Sequence, residues 1–286
     1  MTWHQVQDAQ IDTALDAHAA VFAGASPVRR IWGLSDALIA DKHLMNVLAV
    51  RNSGESFRVL DIGCGTGELV ARLAALFPHA EFVGFDTNRQ SIERAQARRH
   101  PRCRFECAPF SDASGSFDIV ICSEVFEHVL ETDALLDTLR DRVAAGGYLS
   151  ISTPSGWMYR TPRAYNVYKF LQSPARFWRL YLNPERHWAE AVQIHPAILP
   201  SRLRRLLERR GFAMTLRQSA LWWFQEPGLA ERVATAWATR NPVRAATAFL
   251  HWIQLLEGAM NVCTPLRYFE SRAILLMRKQ QTGAPS

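Results

Sequence analysis

Three glycines, two aspartates and a Glu-x-x-Glu-His cluster give this chain its chemical possibilities. The first group lies in Val59-Leu-Asp-Ile-Gly-Cys-Gly-Thr-Gly-Glu-Leu-Val70, which reads as a buried strand, a glycine turn and the start of a helix. Gly63, Gly65 and Gly67 allow the backbone to turn tightly and approach a ligand closely, because no Cβ intervenes. A helix opening near Glu68 points its free N–H groups into the same crevice. Asp61, at the carboxyl end of the strand, adds an acceptor where open α/β sheets bind ligands. Nineteen residues beyond Gly67, a second strand, Glu81-Phe-Val-Gly-Phe-Asp86, ends in an acid. That is the placement of a carboxylate that grips a pair of ribose hydroxyls; the plainer reading of Asp86 is a helix cap at a strand end.

The third block is Phe117-Asp-Ile-Val-Ile-Cys-Ser-Glu-Val-Phe-Glu-His128. If a helical turn starts at Glu124, then Glu124, Glu127 and His128 fall at i, i+3 and i+4 on one face. Two carboxylates and an imidazole suit Mg2+ or Mn2+, or Zn2+ or Fe2+. His128 could instead act directly as a general base. The two roles use the same residues and compete, and the plain alternative to both is that these side chains brace the loop.

Together, the Asp-x-Gly-x-Gly-x-Gly turn, the strand-ending Asp86 and the Phe117–His128 block resemble the class I S-adenosylmethionine-dependent methyltransferases. The alternative is a dinucleotide-binding Rossmann domain, whose fingerprint wants Gly-x-Gly-x-x-Gly, a different spacing. The resemblance implies S-adenosylmethionine as methyl donor, with Asp61 near its amino-acid end and Gly63, Gly65 and Gly67 along the amino-acid and ribose side. It implies Asp86 on the ribose hydroxyls, Thr87 and Asn88 extending the same loop, and Ser123 and Glu124 close to the reacting methyl. Many relatives hold the adenine amino group with an acid after strand 3. Here Ala108 stands near that place, so adenine is expected on backbone groups and the Phe110 ring, with Asp112 a weaker candidate.

The Glu-x-x-Glu-His pattern is similar to that of ubiquinone-pathway O-methyltransferases and of small-RNA 3′-end 2′-O-methyltransferases. In both, a later histidine completes a divalent-metal site. His195 is the best-placed match here and His187 the second; His195 is also a candidate general base. The expectation is an S-adenosylmethionine-dependent methyltransferase of the ubiquinone-pathway-like type, acting on an oxygen. A non-catalytic S-adenosylmethionine-binding partner subunit is the alternative of a different class.

Periodicity gives the strands and helices around these residues. Strands are expected over 58–62, 81–86, 104–107, 117–123, 148–153, 212–218 and 272–278, and helices over 68–77, 90–99, 133–145 and 201–210. Gly146-Gly147 is read as the stop of the third helix and Gly211 as the stop of the fourth. This alternation argues for an α/β, Rossmann-like sheet with helices on both faces. The resemblance adds seven strands with the last antiparallel. A single domain over 1–286 is expected: a helical cap over 1–50, a cofactor-binding core over 55–154, and insertions over 155–198 and 219–270, after strands 5 and 6. Loops of that length carry function or structure of their own. Residues 219–270 read as two helices, about 229–239 and 243–260, packed on the sheet edge or against a second copy in a homodimer.

The chain has 286 residues, 48% of them hydrophobic, enough for a sizeable core. Its net charge of +6 is concentrated in 157–187. That stretch holds Arg160, Arg163, Lys169, Arg176, Arg179 and Arg186 against the single acid Glu185, among eight aromatic residues. Basic and aromatic residues interleaved in this way suit a lipid headgroup boundary. The ubiquinone-pathway relatives carry a membrane-touching insertion at the same point. A lipid-like, quinone or other hydroxylated small-molecule acceptor is therefore expected, with peripheral contact to an anionic membrane surface. RNA is the weaker alternative, and a lid with buried rings and solvated arginines is the plain one. Five cysteines without Cys-x-x-Cys pairs, and an N-terminus with neither basic start nor apolar run, suggest free thiols and a cytoplasmic protein. Cys103 and Cys107 read as core residues. No apolar run approaches the ~20 residues of a membrane span.

Overall fold

The computed structural model describes residues 39–98, 100–155, 198–220, 255, 258–259, 261–263 and 272–281. In chain order they form α1 (39–48), β1 (Arg58–Ile62), α2 (Glu68–Leu76), β2 (Glu81–Asp86), α3 (Arg89–Ala97) and β3 (Cys103–Cys107). There follow β4 (Phe117–Ser123), α4 (Thr132–Arg142), β5 (Val143–Pro154), α5 (Pro200–Glu208), β6 (Phe212–Ala220) and β7 (Arg272–Lys279), with single 3-10 turns at Phe110–Asp112 and Phe126–His128. His187, His195, the basic aromatic stretch 157–187 and most of the predicted helical pair in 219–270 lie outside the described residues.

The seven strands lie in the order β3-β2-β1-β4-β5-β7-β6. β7 runs antiparallel to both β5 and β6, while β3 to β5 pair in parallel. The chain leaves the β1 edge for β2 and β3, then returns to β4 on the other side of β1. That reversal makes a crevice beyond the carboxyl ends of β1 and β4, the place where such sheets bind ligands.

The strands are apolar on both faces because helices cover both. Leu60, Ile62, Val120, Cys122, Leu149 and Ile151 pack with Leu135, Leu136 and Leu139 of α4 and with Leu203 and Leu207 of α5. On the other face Val59, Phe82, Ile119 and Ile121 pack with Leu44 and Val47 of α1, Leu69, Val70 and Leu73 of α2, and Ile92 and Ala95 of α3. Burying each such side chain stabilises the fold by about 1.5–3 kcal/mol. The crevice is therefore framed by a rigid, doubly covered sheet.

One boundary differs from the sequence expectation. Helix α4 ends at Arg142, not Ala145, and Val143 already opens β5. Val143 pairs with Phe117 and Tyr148 with Ile119, so the register shifts between them. The residues between bulge through Gly146, at φ 77°. A Cβ on Gly147 would lie 2.8 Å from the Asp118 carbonyl oxygen. The glycine pair lets β5 pass close to β4 and does not cap the helix. Cys107 also departs from its core reading: it ends the edge strand β3 and is exposed, while Cys103 packs partly against the core. No helix among the described residues is long and apolar enough to cross a membrane.

Candidate active site

The crevice is built first by the turn after β1. Gly63 and Cys64 donate their N–H groups to the Phe85 carbonyl at 2.7 and 3.0 Å, which ties the turn to β2. Gly63 has φ 76°, and a Cβ there would come within 2.2 Å of Val125 Cγ2, so both conformation and space demand glycine. Gly65 donates its N–H to Asp86 Oδ2 at 2.8 Å. Its own Cβ position faces open space, the cradle into which a ligand can lie against bare backbone. Gly67 caps α2, whose first turn carries Glu68.

Asp86 holds two loops at once: its other oxygen accepts the Asn88 N–H at 2.8 Å. It is not the cap of α3, because Asn88 caps that helix by accepting the Ser91 N–H at 3.1 Å. Thr87 is exposed beside it. Ala108, where relatives of the resembled type carry an acid, donates its N–H to the Asp86 carbonyl at 3.1 Å, which brings the Phe110 turn towards the end of β2. Phe110 is half-buried against the core. Asp112 is exposed and lines a groove with Arg58, Glu81 and Arg104 that contains none of the glycine-turn residues.

Asp61 is the unusual member. It is 2% exposed, and its Oδ1 has no hydrogen-bond partner among the described residues. Burial, reinforced by the charge of Asp86, pushes its pKa up to about 8. A neutral acid with a spare acceptor, walled off from water, is poised to ionise against an incoming cation. Cys64 in the same turn is also buried, and its thiol is pushed up by that burial and by the two aspartates, so it stays unreactive.

The acceptor side differs from expectation. Glu124 does not begin a regular helical turn: it has φ 53°, a left-handed conformation, and the 3-10 turn starts only at Phe126. Its N–H donates to Ser152 Oγ at 3.1 Å, and that hydroxyl lies 3.4 Å from Ser123 Oγ. The Glu124 carboxylate turns to Arg272 at the start of β7, with which it forms an ion pair. Glu127 points inward, 3% exposed, while His128 is exposed. Burial, then the charge of Glu124 and a hydrogen bond to it, hold the Glu127 carboxyl well above the usual range, against the pull of Arg272. The Glu124 and Glu127 carboxyls therefore meet, while the His128 ring lies apart at the surface. Among the described residues no group of three or more His, Cys, Asp or Glu side chains could hold a metal ion. As they stand, Glu124, Glu127 and His128 do not fit the expected metal centre, and His195 lies outside the described residues.

Arg272 was legible only as the first residue of a strand. Its partnership with Glu124, 148 positions away, follows from the position of β7 beside β5, which no local pattern encodes. His43 was missed for the same reason. It is fully buried on α1, with Nδ1 2.7 Å from Ser150 Oγ, and Asn46 donates to the same hydroxyl at 2.8 Å.

A family model described as a methyltransferase domain matches residues 29–216. The chain is 29% identical over 154 residues to trans-aconitate 2-methyltransferase of Deinococcus radiodurans, covering 54% of this chain and 57% of that one. It is 31% identical over 142 residues to a ubiquinone biosynthesis O-methyltransferase of Neisseria meningitidis, covering 44% and 58%. The chain thus spans about half the length of these curated relatives. In fold it is similar to magnesium protoporphyrin IX methyltransferase of Synechocystis with bound SAH, at TM-score 0.53 and 16% identity, covering 88% of this chain and 87% of that one.

Proposed function

This chain belongs to the methyltransferase-domain family of class I S-adenosylmethionine-dependent enzymes, and on that footing we propose that it transfers a methyl group to an oxygen of a small-molecule acceptor. The observation that carries this reading is the crevice at β1: a buried, unpartnered Asp61 oxygen beside bare glycine backbone, with Asp86 fixed at its mouth. S-adenosylmethionine, when bound, supplies an electrophilic methyl on a sulfonium. Its ammonium suits the spare Asp61 acceptor, and its ribose hydroxyls suit Asp86, which would trade the Gly65 N–H for them in part. Gly63, Gly65 and Gly67 offer backbone without side chains, and Thr87 and Phe110 border the adenine side.

Displacement at a methyl demands an acceptor held in line at ~3–3.5 Å, and a hydroxyl acceptor must also lose a proton. Ser123 ends β4 and Glu124 follows it, at the carboxyl end of the strand where the crevice opens. Burial raises the Glu127 carboxyl well above the usual range, which favours its protonated form; Glu124 is the group to take the acceptor proton, with Glu127 bracing it. The composition of 157–187 favours a lipid-like or quinone acceptor at an anionic membrane surface. Two kinds of relative bear on the acceptor atom: the names of the Neisseria protein and of a Bacillus cytotoxicus malonyl-[acyl-carrier protein] O-methyltransferase both specify oxygen.

The test is transfer of labelled methyl from S-adenosylmethionine into a cell extract, fractionated into lipid, aqueous small-molecule, RNA and protein pools, with and without chelator. Label in the lipid pool supports the interfacial acceptor, and label in the aqueous pool keeps the small-molecule reading without the membrane. Label confined to RNA or protein contradicts it. Chelator sensitivity would restore Glu124, Glu127, His128 and His195 as ligands.

A further inference from the structure

Among the described residues Arg272 is the one lysine or arginine that is buried, at 2% exposure. Taking a guanidinium out of water is costly unless it is well paired, and a buried ion pair is weak evidence for stability alone. The carboxylate side of this pair is not fully satisfied. Glu124 Oε1 is buried without a partner, and so is Glu127 Oε2. Glu124 also holds its bond to Arg272 from a left-handed backbone, φ 53°, which is strained for a non-glycine residue. Arg272 pairs with Pro154 and Ala220 at the ends of β5 and β6. This places it at the same sheet edge as the glycine turn, on the acceptor side of β4. A planar five-donor fork matches a carboxylate in bidentate geometry, and a carboxylate, that of Glu124, is what it holds here.

We infer that Arg272 is the anchor for a carboxylate on the methyl acceptor, and that Glu124 occupies this anchor until the acceptor arrives. The inference rests on the methyltransferase reading above and names its acceptor class. Exchange of one carboxylate for another keeps the buried guanidinium paired. It also frees Glu124 from a strained position and releases its carboxylate to take the acceptor proton. A carboxylate and a lipid-like tail are compatible on one acceptor.

The experiment is calorimetric titration of the full chain, loaded with S-adenosylhomocysteine, with four carboxylates: trans-aconitate, malonate, benzoate and 3,4-dihydroxybenzoate. Each is paired with its methyl ester. At least one acid should bind about tenfold more tightly than its ester. Glu124→Gln should tighten that binding by removing the resident competitor, and Arg272→Lys should weaken it about tenfold while leaving affinity for S-adenosylhomocysteine unchanged. Arg272→Gln should abolish it; if that variant does not fold, the other two still decide. Indifference between acids and esters, weaker binding in Glu124→Gln, or no acid bound by the loaded wild type overturns the inference. Failure of the wild type to bind S-adenosylhomocysteine at all overturns the methyltransferase reading, and the two failures are thereby distinguished.

Discussion

Asp61 and Asp86 lie at the ends of neighbouring strands and do different work. Asp86 is already satisfied by two backbone N–H groups, so Asp86→Ala should remove a loop anchor as well as a ligand contact. The expected cost is about 1–3 kcal/mol of stability, seen in chemical denaturation, alongside weakened donor binding. Asp61 carries a proton at neutral pH, with its pKa at about 8 against an unfolded value of 3.8. Between those values the folded chain binds more protons than the unfolded chain. Its contribution is full below about 4 and is lost as pH rises through 8. The ligand-free protein should therefore lose stability from pH 4 to 8 through this group, and Asp61→Asn should flatten that part of the profile. A cationic donor reverses the sign for binding: affinity should rise with pH towards 8, with proton release on binding. A pH-independent affinity in the wild type would contradict the role given to Asp61. Glycine spacing and the two acids were readable because they act within one turn and one strand–strand step. The charge state of Asp61 was not, because it depends on how completely α1, α2 and the sheet exclude water.

At the scale of elements, most strands begin and end where the alternation of apolar runs and turn formers predicts. β1, β2 and β4 match residue for residue. The misreadings share a cause, which is contact between distant segments. Gly146-Gly147 looks like a helix stop, but its use is decided by how closely β5 must pass Asp118 on β4. Glu124-x-x-Glu-His looks like a helical face, but the pull of Arg272 on Glu124 and the burial of Glu127 break it. Helix α1 supplies a further case, since its buried residues include the polar His43 and Asn46 beside Ile39, Leu44 and Val47. Asn46 also accepts from Gln218 Nε2 at 2.7 Å, so α1 is pinned to both β5 and β6. Burial drives the pKa of His43 down to about 3 from 6.5. Below 6.5 the unfolded chain takes a proton that the folded one refuses, so this stability is lost as pH falls towards 3. Hydrogen exchange over residues 39–48 should speed up in that window. His43→Gln should remove most of the acid sensitivity, and an unchanged acid response in that variant would contradict the assignment.

For the whole molecule, alternation of strands and helices sufficed to give the fold class, and the glycine and aspartate spacing sufficed to give the family. The final antiparallel strand came from the family resemblance and is what brings Arg272 to the crevice. The acceptor was less legible, because the basic aromatic stretch 157–187 is compatible in composition with membrane, RNA or a plain lid, and composition does not fix what a surface faces. Conversely, the polar groups that frame the acceptor edge, Arg272, Ser152 and Glu124, come from three strand ends far apart in the chain. The account as a whole stands on the crevice at β1 being a donor site. It is tested most directly by calorimetric titration of S-adenosylmethionine into the wild type and Asp86→Ala. One molecule per chain should bind the wild type, with affinity weakened about tenfold or more in the variant while the variant still melts cooperatively. No binding to the wild type, or equal affinity in both, would contradict it.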